Sequence, residues 1–190
     1  NVLLNTGPSN VRDIYCNAPL TITGNVSVTP ASNPLNKQGG NSLTFNGTNT
    51  VGGASAVNGG VLIVNGPMNG RATFTVNSGG TLGGTGVLSG PVVVQNGGTL
   101  AAGTDGSGTF TCGSLTANAS SLFSLAYGVT NNPANGLIRV NGNLTLAGTL
   151  KLTDLGGLGI GTYTNFYYAG ALVNNSLVVA GVAAGSSGGG

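Results

Sequence analysis

The amino-acid sequence predicts an all-β protein of the β-solenoid type, in which 190 residues wind into about eight or nine stacked coils. Three related phrases carry this prediction: VNGGVL ends at Leu62, VNSGGTL at Leu82 and VQNGGTL at Leu100, so the closing leucines are 20 and 18 residues apart. A repeat of about 20 residues with strand-forming residues and paired glycines is typical of solenoids. Each copy is too short to enclose a core. Stacking would place Leu62, Leu82 and Leu100 above one another as the repeated core positions.

Short runs rich in Val, Ile, Leu and Thr follow one another along the chain, each bounded by Gly, Asn or Pro residues that favour turns. No stretch shows a sustained helical period with capping residues at its ends. We expect β-rich runs, in chain order, at 1–5, 11–15, 20–28, 42–45, 61–64, 72–76, 92–94 and 144–146, with a loop at 30–40. They predict one solenoid domain over residues 1–182 and a flexible Gly/Ser tail over residues 183–190. Asn58, Asn77 and Asn96 recur beside the paired glycines, and their side chains could stack into an amide ladder.

The chain carries few charges: Asp, Glu, Lys and Arg make up 4% of its residues, against about 25% in ordinary globular domains. The net charge of +2 comes from isolated residues and not from a basic cluster, so we expect no nucleic-acid partner. No run of 18 apolar residues occurs, so we expect no membrane insertion. The surface must consist of Asn, Thr, Ser and Gly, which offer little charge repulsion against self-association.

Most catalytic sites need residue types that this chain lacks. It has no His, and its three acidic residues are all aspartates, Asp13, Asp105 and Asp154, far apart in sequence. A nucleophile–His pair and a His-based metal site are therefore excluded, and nothing suggests paired carboxylates. The Asp105-Gly106 pair is better explained as a type I′ turn than as a calcium site, because one carboxylate holds calcium poorly. We predict no enzymatic activity, no metal and no cofactor.

The two cysteines and one aromatic cluster each leave two interpretations open. Cys16 and Cys112 could form one disulfide in a secreted protein, or they could be two buried thiols. Four aromatic residues near the carboxyl end favour a cover over the last coil of the core, with a sugar-stacking platform as the alternative. These residues are Tyr163, Phe166, Tyr167 and Tyr168.

The order of the repeated phrases resembles the passenger-associated strand repeat of bacterial autotransporters and related surface proteins. The runs LTFNGTNTVGG, VNGGVLIVNG, VNSGGTLGGTGVLSG and VVVQNGGTLAAGT carry this resemblance. LIRVNGNLTLAGTLKL and GTYTNFYY resemble the segments that follow the repeat, so the resemblance covers residues 43–168. It implies a right-handed, single-stranded parallel β-helix in a bacterial protein that is secreted, extracellular or exposed at the cell surface.

Two functions follow as expectations. The first is a structural subunit that assembles head-to-tail with copies of itself into an extracellular fibre, because solenoid ends expose unpaired strand edges. In that case the apolar strand containing Val2, Leu3 and Leu4 could be exchanged between subunits and complete a neighbour's sheet. The alternative is a non-polymeric adhesin or stalk that binds a glycan or a host ligand on its lateral face.

Overall fold

A computed structural model describes residues 2–5, 11–29, 32–129 and 131–184. Asn1 of the predicted first strand and residues 185–190 of the predicted tail lie outside the described residues. The described chain is all-β and contains 25 strands, most of them two to four residues long. In chain order they are β1 (Val2–Asn5), β2 (Arg12–Tyr15), β3 (Leu20–Ile22), β4 (Val26–Thr29), β5 (Leu35–Gln38), β6 (Ser42–Phe45), β7 (Asn49–Thr50), β8 (Ser55–Val57), β9 (Gly60–Val64), β10 (Met68–Asn69), β11 (Phe74–Val76), β12 (Gly80–Gly83), β13 (Val87–Leu88), β14 (Val92–Val94), β15 (Thr99–Ala101), β16 (Thr109–Cys112), β17 (Leu115–Ala117), β18 (Leu122–Tyr127), β19 (Leu137–Val140), β20 (Leu144–Leu146), β21 (Thr149–Asp154), β22 (Phe166–Tyr168), β23 (Leu172–Asn174), β24 (Val178–Val179) and β25 (Ala183–Ala184).

The strands form three parallel sheets that run the length of the molecule. Sheet A has the order β1-β4-β7-β10-β13-β16-β19-β22, and sheet B has the order β2-β5-β8-β11-β14-β17-β20-β23. Sheet C has the order β24-β21-β18-β15-β12-β9-β6-β3, with β25 also paired to β21. Each coil therefore contributes one strand to each sheet, which gives eight coils and confirms the predicted parallel β-helix. Its right-handed sense stays a prediction, in line with the usual handedness of parallel crossovers.

The three closing leucines of the repeat lie in one inward column of sheet C. Leu82 pairs with Leu62 on one side and with Leu100 on the other, and all three side chains are buried. Because side chains alternate between the two faces of a strand, a fixed phase in every coil keeps this column inside. From the first coil to the last, the column contains Leu20, Leu43, Leu62, Leu82, Leu100, Phe123, Leu150 and Val179.

Side-chain amides stack at the corner between sheets B and C. Asn77 Nδ2 donates to Asn58 Oδ1 at 2.6 Å, and Asn118 Nδ2 donates to Gln95 Oε1 at 2.6 Å. The sequence places Asn96 in this ladder, but its Oδ1 accepts a hydrogen bond from the backbone N–H of Ser120 at 3.0 Å. In the backbone register, Gln95 is the first residue after its strand, as Asn58 and Asn77 are in their own coils.

Glycine is required at this same corner. Gly60 has φ +62°, and a Cβ there would lie 2.7 Å from the carbonyl oxygen of Gly39 in the coil before it. Both the positive φ and the close approach of two backbones exclude a side chain. The paired glycines of the repeat therefore let successive coils turn while they stay about 4.8 Å apart, the spacing of neighbouring strands in a sheet.

Of the two interpretations left open for the cysteines, the fold excludes the disulfide. Cys16 and Cys112 are both buried and free. Cys16 follows β2 in the first coil and Cys112 ends β16 in the sixth, so they are five coils apart, an axial separation of about 24 Å. A disulfide needs Cα atoms within about 7 Å. The second interpretation, two buried thiols, is the one that the fold permits.

The carboxyl-terminal end of the domain differs slightly from the prediction. Ala183–Ala184 form β25, whose residues pair with Thr153 and Asp154 of β21. Backbone pairing thus continues two residues into the segment expected to be a flexible tail. Among the described residues, no helix is long and apolar enough to cross a membrane.

Candidate ligand-binding corner

The corners that lead from sheet C to sheet A become longer along the axis of the molecule. In the first four coils they are 23–25, 46–48, 65–67 and 84–86, each of three residues. The next three are 102–108, 128–136 and 155–165, which contain seven, nine and eleven residues. From coil 5 onward the other two corners never exceed four residues. Insertions on a fixed scaffold are where binding residues usually lie, so this elaborated corner is the candidate site.

A polar pocket of about 380 Å³ opens between corners 128–136 and 155–165, beside the start of β19. This volume falls within the range of about 300–1,000 Å³ that is common for small-molecule sites. Its lining combines amides, hydroxyls and two phenol rings, and none of the lining residues that the structure describes is charged. The lining residues are Thr109, Tyr127, Asn131, Asn132, Pro133, Asn135, Gly136, Leu137, Thr162, Tyr163 and Thr164.

Internal hydrogen bonds hold together the described residues of the 128–136 corner, 128–129 and 131–136. Asn135 Oδ1 accepts from the backbone N–H of Gly128 at 2.8 Å, and Asn135 Nδ2 donates to the carbonyl oxygen of Val129 at 3.0 Å. Asn132 Oδ1 accepts from the N–H of Ala134 at 2.9 Å. The Ala134 carbonyl oxygen accepts from the N–H of Gly108 at 2.7 Å, which ties this corner to the one before it. The pocket wall is thus built before any ligand arrives.

Two tyrosines stand between this pocket and a second one. The rings of Tyr127 and Tyr163 meet edge-to-face, with centroids 5.3 Å apart and planes at 78°. Tyr127 OH donates to Asn165 Oδ1 at 2.6 Å, and burial raises the pKa of that phenol. Tyr163 OH accepts from the backbone N–H of Gly159 at 3.2 Å. The second pocket, of about 400 Å³, has both rings in its wall and is otherwise more apolar, with Leu152, Leu158, Ile160 and Val182.

The four aromatic residues singled out in the sequence do not form one platform. Tyr163 lines both pockets, whereas Phe166 packs edge-to-face on Phe123 with centroids 5.1 Å apart. Tyr167 points outward beneath Arg139, whose guanidinium carbon lies 4.4 Å from the ring centroid. Tyr168 pairs with buried Val140 in the inward register of the last coil, yet remains 39% exposed.

Sequence reasoning missed Tyr127 and the asparagines of the pocket. Tyr127 ends β18, where it reads as one more strand residue. Asn131, Asn132 and Asn135 belong to the segment NNPANG, which interrupts the alternation of apolar and polar residues. That interruption was the available signal. It could not show that this corner faces corner 155–165 across a pocket, because that depends on the register of the coils.

The three aspartates lie at separate places, where they stabilise turns and contacts between neighbouring strands. Asp154 Oδ1 accepts from the Gly156 N–H at 2.8 Å, and Asp13 Oδ1 accepts from Asn36 Nδ2 at 3.1 Å. In the described ranges, no three His, Cys, Asp or Glu residues come together.

The turn at Asp105 differs from the prediction. Asp105 Oδ1 accepts from the Ser107 hydroxyl at 2.7 Å and from the Ser107 N–H, and these hydrogen bonds lower the pKa of its carboxyl group. Asp105 does not have positive φ, so the predicted type I′ turn is wrong and an Asx turn replaces it.

The strand that contains Val2, Leu3 and Leu4 pairs within its own chain. β1 lies at the edge of sheet A, and these residues pair with Val26, Ser27 and Val28 of β4. The strand therefore completes the first coil of this molecule. Its exchange between subunits stays a prediction.

The fold and the elaborated corner together define a parallel β-helix that presents loops from one edge. No family model matches the chain. The chain is similar to the Adhesin BmaC autotransporter of Brucella suis biovar 1 (strain 1330), with 43% identity over 86 residues. The alignment covers 42% of this chain and 2% of the relative, so the chain spans a small part of that protein. This likeness agrees with the autotransporter resemblance as a class, while the specific passenger-associated repeat stays a prediction.

Proposed function

We propose that this chain is part of the passenger of a secreted or surface-exposed bacterial adhesin. In this role it forms a β-helical rod that holds ligand-binding loops at its C-to-A corner. The similarity to an autotransporter adhesin supports the class. The observation that carries the binding role is the growth of this corner, from three to eleven residues, around a preformed polar pocket. We propose binding and not catalysis, because the described lining of the pocket contains no carboxylate, imidazole, amine or thiol.

The rod is suited to hold such loops away from a cell. Eight coils at about 4.8 Å each make a column about 38 Å long in which every coil pairs along its length with the next. Inward columns such as the one through Leu62, Leu82 and Leu100 bury apolar side chains in each coil. A neutral surface of Asn, Thr and Gly then covers the rod, leaving the corner loops as its most irregular feature.

We expect beads coated with the purified chain to attach to cultured epithelial cells. In the test variant, corners 128–136 and 155–165 are each replaced by Asn-Gly-Thr, the sequence of corner 46–48. This variant should lose most of the attachment, because the coils keep their register while the pocket disappears. The matched control replaces corner 169–171, between sheets A and B of the last coil, by the same three residues and should attach as the parent does. Circular dichroism and thermal unfolding verify that both variants fold. Equal attachment by the parent and the test variant would contradict the proposal.

A second candidate function is the head-to-tail fibre. The observation in its favour is that the inward residues Tyr168, Leu172 and Val179 of the last described coil are 39%, 43% and 58% exposed. In the described part of the chain, nothing covers these three positions. A further coil stacked on them would bury them, and in a fibre another copy would supply that coil.

A further inference from the structure

We propose that the polar pocket between corners 128–136 and 155–165 binds an uncharged saccharide. This inference rests on the proposed adhesin role and specifies the chemical class of the ligand. It differs from the sequence-based alternative, a sugar platform made of the terminal aromatics, because Phe166, Tyr167 and Tyr168 do not line the pocket.

The absence of charge in the lining selects against ionic ligands. Anionic sugars, phosphates and carboxylates are held by Arg, Lys or clustered backbone N–H groups, and cationic ligands by carboxylates. None of the eleven lining residues carries a charge. The cost of burying an unpaired ion would therefore not be offset in this pocket. A neutral ligand with many hydroxyl groups meets no such cost.

The polar groups of the pocket match the hydroxyls of a sugar. Three threonine hydroxyls, at Thr109, Thr162 and Thr164, can each donate and accept. Asn132 uses its Oδ1 within the corner, while its Nδ2 makes no hydrogen bond to any described residue. The Asn131 side chain likewise has no hydrogen-bond partner among the residues that the structure describes. The amides of corner 128–136 and the hydroxyls of Thr109, Thr162 and Thr164 provide the mixture of donors and acceptors that a sugar ring needs.

The tyrosine pair supplies the apolar part of the site. A saccharide presents C–H groups on the faces of its ring, and these pack on aromatic rings whose polar edges reach water or a hydrogen-bond partner. Tyr163 is held by its hydroxyl at Gly159 and by the edge-to-face contact with Tyr127. Because both rings are already fixed, little conformational entropy is lost on binding.

The test uses an array of immobilised neutral oligosaccharides that end in hexose or N-acetylhexosamine, with sialylated and sulfated members alongside. The parent chain should be retained by neutral members. Two pocket variants, Asn131→Gly and Tyr163→Leu, should weaken that binding at least tenfold. Asn131 has φ +62°, a conformation that glycine adopts freely, so the first variant removes the amide without strain. Tyr167→Leu is the matched control on the same coil and should bind within twofold of the parent.

Several results would overturn the proposal: no retention on neutral sugars, retention only on sialylated or sulfated ones, binding to a peptide array instead, or equal weakening by Tyr167→Leu. The bead assay tests the adhesin role separately. If Asn131→Gly and Tyr163→Leu beads attach like the parent while the corner-shortened beads do not, the saccharide site fails and the adhesin role stands. If the parent binds neutral sugars but its beads do not attach to cells, the saccharide site stands and the adhesin role fails.

Discussion

A cation lies among the inward side chains near the amino-terminal end, where an apolar residue would be expected. Lys37 is 1% exposed and occupies the same column of sheet B as Val57. Its Nζ donates to the carbonyl oxygens of Gln38, Gly39 and Gly59 at 3.0, 2.7 and 2.8 Å, so all three of its N–H bonds are used. Burial lowers the pKa of this ammonium group. Lys37 thus fastens the corner of one coil to the corner of the next, a role that a lone lysine in a sequence does not reveal.

A buried thiol makes stability depend on pH at the alkaline end. Cys112 is fully buried in sheet A between Leu88 and Val140, and burial raises the pKa of its thiol from 9.0 to about 12. Between these values the unfolded chain releases a proton that the folded chain keeps. The contribution of the protonated Cys112 thiol to the free energy of unfolding is therefore fully present below pH 9. It is lost as the pH rises toward 12, by up to about 1.4 kcal/mol per pH unit.

We expect Cys112→Val to flatten this dependence. Urea unfolding at about pH 7, 9, 10 and 11 should show a smaller fall in the free energy of unfolding for the variant than for the parent. At neutral pH the two should differ by less than about 1.5 kcal/mol, because the exchange nearly conserves volume within an apolar column. Buried Tyr127 contributes equally to both proteins and cancels in the comparison. Parallel pH curves for the two proteins would contradict the assignment.

At the scale of elements, a strand of three or four residues is stable because it pairs with the equivalent strands of the two neighbouring coils. Leu82 in β12 pairs with the equivalent leucines of the coils on either side, and the three are buried. Isolated strands of this length would not persist in water. The stability of each coil therefore depends on its two neighbours, as in other stacked-repeat proteins.

Leu82→Ala should destabilise the protein by about 2–5 kcal/mol, through lost burial and a cavity in the middle of the column. Thr81→Ala, one residue earlier on the outward face of the same strand, is the matched control and should change stability by no more than about 1 kcal/mol. Urea unfolding measures both. A similar cost at the two positions would mean that the inward column is not the main source of stability.

The elements that could be predicted are those fixed by local alternation. The phrases ending at Leu62, Leu82 and Leu100 share one phase, and that phase alone decides which side chains point inward. The corner lengths did not follow from the repeat. The presence of Gln95 instead of Asn96 in the amide ladder was also missed, since the ladder position is the first residue after the strand and not the residue before the paired glycines. The candidate site depends on contacts between corners that are far apart in sequence, which no local pattern reports.

At the scale of the whole molecule, the first and last described coils are chemically different. One inward column of sheet B begins at Arg12 in the first coil and ends at Leu172 in the last. Arg12 is 8% exposed. A second copy added in register at the carboxyl-terminal end would place Leu172 against this arginine. Inward-pointing charges are one way in which natural sheets limit edge-to-edge growth.

This difference gives the fibre candidate a direct test. If copies join head-to-tail, negative-stain electron microscopy should show rods that are multiples of about 38 Å long. Leu172→Asp should reduce them to single particles, and Arg12→Leu should lengthen them by removing the opposing charge. Tyr167→Ala, on the outward face of the last coil, is the control and should leave their length unchanged. Single particles for the parent and for Arg12→Leu alike would exclude the fibre.

One corner lengthens along the molecule while the strands of each coil keep their pairing, and this has an evolutionary consequence. Residues can be added at the corners that lead from sheet C to sheet A without moving any strand of the three sheets. Selection can therefore change these corners while the scaffold stays intact. Among natural variants of this protein, length differences and sequence divergence should therefore concentrate at positions 102–108, 128–136 and 155–165. If this corner binds ligands as proposed, its specificity can change without the evolution of a new fold.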